Sequence, residues 1–417
     1  MNDFKLDFSE TSVETWKSQI IKELKDDAAR IEFTDEIEEI CLDITASSQK
    51  DHSVAIDNPT NDWNIRCSIV VADEKTANQL ALTALNQGSN ELIFNLLKSE
   101  INWNTLFHGI EVQYIHTRLK FSNNSQLRSF LSSDFSSILE YFSFEIDAFD
   151  SNFESYDSSL KSLKSNKVVS VNGFELQQIG ATTWQEIGVI LSTAHELLNR
   201  GFSSKQLSFS VGIGNNYFLE IAKLRALRYL WNQITAAYGT DESIEIVAHI
   251  GWSNKSLKDQ HTNLLRQTTE GMAAAAGGSN SIVIHAYDEL SSDGSSDFAY
   301  RMAANISNLL KEESYFDKVQ DPLRGSNVVE NLTELISEKA WAYFLELEDY
   351  KSICSSEKLE EIKTDIAAKA NTRLVKFKEN QMKLIGINLF NQESKNAQTW
   401  KEELNYLGVP YLIYELG

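Results

Sequence analysis

Between Leu264 and Asp288 the chain runs LLRQTTEGMAAAAGGSNSIVIHAYD, and this stretch limits the possible folds more than any other. Leu264, Leu265, Met272, Ala275 and Ala276 share one broad helical stripe, and the alanines add helix propensity. Gly277-Gly278 stops the helix, because a helix end favours a residue that tolerates positive φ. Ser281-Ile-Val-Ile-His285 then reads as a short, β-branched strand of the kind buried between helices. Helix, glycine stop and buried strand make one unit of an α/β fold.

The unit recurs from Trp63 onward. Strands are expected at Glu91–Phe94, Val112–Leu119, Phe142–Asp147, Lys167–Phe174, Leu207–Gly212, Ile244–Ile250, Ser281–Ala286 and Leu384–Phe390, most of them separated by helical patterns. Eight strands alternating with helices imply an α/β fold of the (β/α)8 TIM-barrel type, with Ile282 and Ile284 filling core layers. A doubly wound open sheet shares the local pattern, but no GxGxxG opens a helix. Ahead of the barrel stands a helical and extended arm. Val13, Trp16, Ile20 and Leu24 recur at helical spacing within Ser12–Leu24, and Ile31–Phe33 and Ile40–Ile44 read as extended. Ser151–Asn166 reads as a solvated loop. After Phe390 the sequence suggests one short helix around Trp400–Leu407 and an apolar tail, Val409–Tyr414. The expected organisation is an arm over residues 1–60, a barrel over 61–392 and a tail over 393–417.

Composition excludes several classes. A formal charge of −22 disfavours binding a phosphate backbone, so no nucleic-acid partner is expected. No apolar run reaches the length of a membrane span, and no basic-then-apolar signal peptide opens the chain. Cys41, Cys67 and Cys354 are distant and odd in number, so no disulfide framework or CxxC metal site follows, and a cytoplasmic location fits.

Particular motifs carry a resemblance. Asn263-Leu-Leu-Arg266 with Thr268-Thr-Glu-Gly-Met-Ala-Ala274 and Gly277-Gly278 resembles the methylmalonyl-CoA mutase family. Arg301-Met-Ala-Ala-Asn305 with Leu309, Leu310, Glu312, Glu313 and Ser314 is similar to that family's signature helix. Asp321-Pro-Leu-Arg-Gly-Ser326, with Val329-Glu330 and Leu332-Thr333, resembles its following loop and helix. The resemblance covers Leu6 to Phe390. It implies a barrel whose axis is threaded by an acyl-CoA, a separate cobalamin domain capping it, and an N-terminal arm that wraps a partner subunit, here matched through Trp16; an arm folded back on its own barrel is the alternative.

The same resemblance exposes departures. Its cobalamin ligand comes from an Asp-x-His-x-x-Gly motif; Asp259-Gln-His261-Thr-Asn-Leu264 lacks the glycine and lies inside the barrel. No cobalamin domain is expected in this chain. Asn215-Asn-Tyr-Phe218 with Glu220-Ile-Ala-Lys223 and Arg225-Ala resembles the segment after strand five, where catalytic members place a histidine that hydrogen-bonds the thioester carbonyl. Gly214 stands there and offers no donor. Catalytic members carry a tyrosine shortly before a tryptophan; near Trp63-Asn-Ile-Arg66, Asp51–Asp62 has none. Gly173-Phe-Glu-Leu-Gln-Gln178 with Gly180-Ala-Thr182 resembles a strand end whose glutamine lines the pocket. Gln177 retains that amide, but Phe174-Glu175 replaces an aromatic-histidine pair. Gln177, Gly214, Asn215 and His249 thus mark a vestigial substrate pocket with no catalytic, cofactor or metal ligand set.

Other candidates read as structural. His249 and His285 stand at strand ends, where barrels place catalytic groups, yet neither has a metal-ligand neighbour. His108, His116 and His195 carry no pattern, and Lys223, Arg225 and Arg228 suggest a solvated or salt-bridged face. The whole matches the small, non-catalytic subunit type: an inactive scaffold that binds no cofactor itself and pairs with a large catalytic subunit holding adenosylcobalamin, with self-association open. The competing readings are a free-standing acyl-CoA-binding barrel and an enzyme with different acyl-CoA chemistry.

Overall fold

The computed structural model describes residues 12–25, 32–43, 61–150, 153–163, 167–240, 243–256, 259–291, 295–349, 353 and 355–390, with 405–406 and 409–410. In the arm, α1 (Val13–Leu24) begins at Ser12, whose hydroxyl accepts from the Thr15 N–H. The side chains described in α1 are exposed or half-exposed, Trp16 among them. β1 (Glu32–Asp35) and β2 (Ile40–Asp43) form an antiparallel hairpin. This hairpin folds back on the chain's own barrel. Ile37, Ile40 and Leu42 are buried, and Trp184 Nε1 donates to the Glu38 carbonyl.

The barrel follows. Its strands are β3 (Asn64–Val71), β4 (Glu91–Leu96), β5 (His116–Phe121), β6 (Phe142–Phe144), β7 (Ile146–Asp147), β8 (Val169–Asn172), β9 (Leu207–Ile213), β10 (Ile246–Ile250) and β11 (Ser281–Val283), all parallel. β6 and β7 are one stave interrupted at Glu145: β6 pairs with β5, β7 pairs with β8, and the Phe144 N–H donates to the Lys167 carbonyl. β11 pairs with β3. Eight staves therefore close on themselves, as a TIM-type barrel requires.

Around them lie α2 (Glu74–Asn86), α3 (Trp103–Leu106), α4 (Asn124–Leu131), α5 (Phe153–Lys161), α6 (Gly173–Gln178), α7 (Thr183–Asn199), α8 (Tyr217–Ala237), α9 (Gln260–Ala276), α10 (Asp297–Asn308), α11 (Asn327–Glu348) and α12 (Ser356–Lys378). Strand alternation divides the buried residues. Phe94, Phe121, Val171, Phe209, Ile246 and Ile282 pack with the helix layer, and the Phe209 ring meets Trp231 of α8 edge-on at 4.9 Å. Ser281 has the opposite orientation, its hydroxyl reaching Glu91 inside the barrel. Ile282 thus faces the helices and does not fill the barrel interior as expected.

Several expected elements differ. The first stave is Asn64–Val71, and Leu384–Phe390 is a tight turn in which Gly386 has φ +77° and the Asn388 side chain accepts from the Leu384 N–H. Val112–Tyr114 is a 3-10 turn ahead of β5. Strand β8 ends at Asn172, whose side chain caps α6. The Ser151–Asn166 segment contains α5, anchored by buried Phe153, Tyr156 and Leu160. Asn405–Tyr406 pairs with Val409–Pro410, so the tail helix does not extend through those residues. Most of Asp51–Asp62 and the tail's remaining residues lie outside the described residues. Among the described residues no helix is long and apolar enough to cross a membrane.

Candidate functional site

The barrel interior holds charge where such barrels ordinarily hold branched hydrocarbon. Arg66 on β3 donates to Glu91 on β4 at 2.9 Å and to Glu145 at 3.0 Å. Arg118 on β5 donates to Glu91 at 2.5 Å and to Glu245, the residue before β10. Glu91 also accepts from Ser281 Oγ of β11 at 2.5 Å. β5 and β10 are four staves apart in a barrel of eight, so the Arg118–Glu245 bridge crosses the axis from opposite walls. Burial opposes ionisation of Glu91, but the two guanidiniums outweigh it and hold the carboxyl far below its ordinary range. The network closes the N-terminal half of the lumen to an extended chain.

The C-terminal mouth is filled by rings. Phe174 stacks on His249 with centroids 4.6 Å apart, and Trp252 lies 4.4 Å from His285. Burial pushes the His249 imidazole well below its usual pKa, and neighbouring His285 and Arg66 add to this, so the ring is neutral. Asn172 Nδ2 donates to Asp147 at 2.8 Å and to Glu175 at 2.9 Å. Burial, then the adjacent Asp147, pushes Glu175 up to about 7.

Gln177, Gly214 and Asn215 line one cavity of about 210 Å³, whereas His249 is not among its walls. The cavity floor was not anticipated. Lys223 of α8 is buried between Glu186 of α7 at 2.9 Å and Glu220 at 2.6 Å. Glu186 also accepts the Gly212 N–H at 2.8 Å. Burial pushes Glu186 up to about 7 although Lys223 opposes the shift. A Cβ added at Gly214 would stand 3.0 Å from Glu220 Oε1 and 3.5 Å from Gln177 Nε2. Glu220 thus occupies the place into which a side chain at position 214 would project. Gln177 packs against Gly212 and Gly251, where a Cβ would meet it at 2.6 and 3.0 Å. Asn215 is exposed, and Asn216 caps α8.

The basic residues of α8 separate. Lys223 joins the cavity floor, Arg225 pairs with Asp321 and Glu330, and Arg228 donates to the Gly278 carbonyl. His195 Nδ1 lies 2.6 Å from Glu348, and His108 and His116 are exposed. No group of metal-ligating side chains occurs among the described residues. The sequence signal for the ionic network is the alternation Asn64, Arg66, Ser68 within an otherwise apolar strand, which marks a polar inner face.

A closed barrel of eight parallel staves, with glycine-packed strand ends at its C-terminal face and a buried ionic network in its lumen, defines a TIM-barrel protein. A model of the family described as methylmalonyl-CoA mutase matches residues 149–407, and the chain belongs to that family. A methylmalonyl-CoA mutase small subunit of Porphyromonas gingivalis is 37% identical over 326 residues, covering 69% of this chain and 53% of that protein. The methylmalonyl-CoA mutase large subunit of the same organism is 31% identical over 234 residues, covering 53% and 33%. A methylmalonyl-CoA mutase of Cereibacter sphaeroides is 37% identical over 192 residues, covering 43% and 27%. The chain spans about half or less of the length of these relatives.

The partial cobalamin motif does not fit a corrin ligand. Asp259 caps α9 through the Thr262 N–H at 3.2 Å, its carboxylate packs on Gly386, and the exposed His261 ring lies 5.5 Å from Tyr287.

Proposed function

We propose that this chain is an architectural small subunit of a heterodimeric methylmalonyl-CoA mutase. Its own substrate site is vestigial, and methylmalonyl-CoA and succinyl-CoA interconvert in a large, cobalamin-binding partner within the cytoplasm. The observation that carries this reading is the Arg118–Glu245 bridge across the axis along which the family's acyl-CoA passes. A threaded chain would have to break a buried ion pair, which costs several kcal/mol. The ion pairs of Lys223 with Glu186 and Glu220 argue in the same direction, because they commit that buried ammonium and leave it no attraction for an anionic acyl-CoA. They weigh against both a free-standing acyl-CoA carrier and a different acyl-CoA chemistry.

Pairing is supported by the small- and large-subunit relatives of one organism and by the arm. α1 leaves Trp16, Ile21 and Leu24 exposed at 44%, 51% and 40%, an apolar stripe suited to a partner's surface. Residues 1–60 are assigned to that contact in part, since the β1–β2 hairpin is already seated on this barrel. Co-expression with a large chain carrying Asp-x-His-x-x-Gly tests the pairing. Size-exclusion chromatography should return one complex with bound cobalamin, and separate elution of the two chains would contradict the proposal.

A further inference from the structure

β11 pairs with β3 only from Asn64 to Arg66, so on that edge Cys67–Val71 has no neighbouring strand. The chain leaves the sheet at Ile284, and a cavity of about 200 Å³ lies in the seam, reaching outward to α2 and α10. Its walls combine hydrocarbon from Ile65, Ile69, Ala84, Ile282 and Ala304 with polar side chains, among them Arg66, Thr83, Gln87, Glu289 and Asp297. Cys67 joins them as an inert thiol, which burial pushes up to about 12. Val70, Leu80 and Tyr300, exposed at 55%, 40% and 37%, mark the mouth. This cavity shares no wall with the one at Gln177, Gly214 and Asn215.

One unpaired acceptor gives the seam a preference. His285 lines it with Nδ1 3.2 Å from Glu289 Oε2, which favours the proton on Nδ1 and a lone pair on Nε2. Nε2 is buried and has no hydrogen-bond partner in the protein. Trp252, 4.4 Å away, fixes the ring from the side. A cavity of this size has room for a molecule of benzene scale against its hydrocarbon side. An unpaired buried acceptor rewards a single donor, and the acidic Glu289 and Asp297 in the walls disfavour an anion. We propose that the seam between β3 and β11 is a binding site for a small neutral aromatic molecule with one hydroxyl or ring N–H, of phenol or indole size. The ligand's donor meets His285 Nε2, and its ring lies between Ile65, Ala84 and Ala304.

Calorimetric titration of the full chain with phenol, indole, toluene and benzoate tests this assignment. Phenol and indole should saturate and compete, toluene should bind about tenfold more weakly, as one hydrogen bond dictates, and benzoate should not bind. His285→Phe should erase the phenol-over-toluene preference while toluene still binds. Ala304→Leu, which fills the seam, should abolish all three. The ¹⁵N resonance of His285 Nε2 should move on adding phenol to the unaltered protein, a readout that does not depend on any variant folding. Absence of saturable phenol and indole binding, binding that survives Ala304→Leu, or an unmoved His285 resonance would each overturn the proposal.

Discussion

Arg118 on β5 donates to Glu245 at the foot of β10, and the two side chains meet across the barrel from opposite walls. Arg118 also holds Glu91, so the bridge is one arm of a network that includes Arg66, Glu145 and Ser281. These side chains are almost wholly buried, apart from slight exposure at Glu245. Removal of one partner therefore leaves an uncompensated charge in low dielectric.

Arg118→Met should cost about 3–5 kcal/mol in urea unfolding, the range for a broken buried pair. Arg118→Met with Glu245→Leu should recover part of that loss, because the second orphaned charge is gone. A single-variant cost below about 1 kcal/mol would show that the bridge does not plug a dry lumen.

Glu186 sets a pH dependence. Its folded pKa, about 7, lies above the ordinary carboxylate value, so the folded state binds the extra proton. The associated stability is fully present below about pH 4.5 and is lost as pH rises through 7. Glu186→Gln keeps an acceptor for the Gly212 N–H and should flatten stability between pH 5 and 8 by at most about 3 kcal/mol. An unchanged slope in chemical unfolding across that window would contradict the burial argument.

At the arm, Glu38 accepts the Thr183 N–H at 2.9 Å and its hydroxyl at 2.7 Å. Glu38→Ala leaves both donors buried and unpaired and should cost about 1–3 kcal/mol. Hydrogen exchange should accelerate over residues 32–43 while the barrel strands stay protected. Uniform protection would mean that the hairpin is held by Ile37, Ile40 and Leu42 alone.

The periodic parts of this fold were legible. Leu207–Gly212 and Ile244–Ile250 read as strands because apolar residues dominate both, matching Leu207–Ile213 and Ile246–Ile250, and Gly277-Gly278 marks a true helix end, Gly278 having φ +78°. Asn64–Val71 does not stand out in the sequence, because Arg66 and Ser68 interrupt the apolar run expected of a doubly buried strand. Leu384–Phe390 had the run but not the fold, since Gly386 and Asn388 supply the chemistry of a turn. Within α5, Phe153, Tyr156 and Leu160 already stood at helical spacing, and the surrounding serines and charges obscured them. At the site, Gln177, Gly214 and Asn215 stand out in the sequence through family likeness alone, and the structure brings them to one cavity. Pairings such as Arg118 with Glu245, 127 residues apart, are properties of the closed barrel and leave no local pattern.

Gly214→His restores the donor type that the family places before Asn215, yet Glu220 Oε1 would lie 3.0 Å from the new Cβ. The variant should displace Glu220 from Lys223, lower the melting temperature by a few degrees and gain no turnover.

The most direct measurement is succinyl-CoA formation from methylmalonyl-CoA by the purified, partner-free chain with added adenosylcobalamin. The unaltered chain and Gly214→His should both give no product above the enzyme-free background, whereas the complex with the large subunit should turn over. Sustained succinyl-CoA formation by the isolated chain would contradict the account, because it would require an acyl-CoA to react in a barrel whose axis Arg118 and Glu245 close.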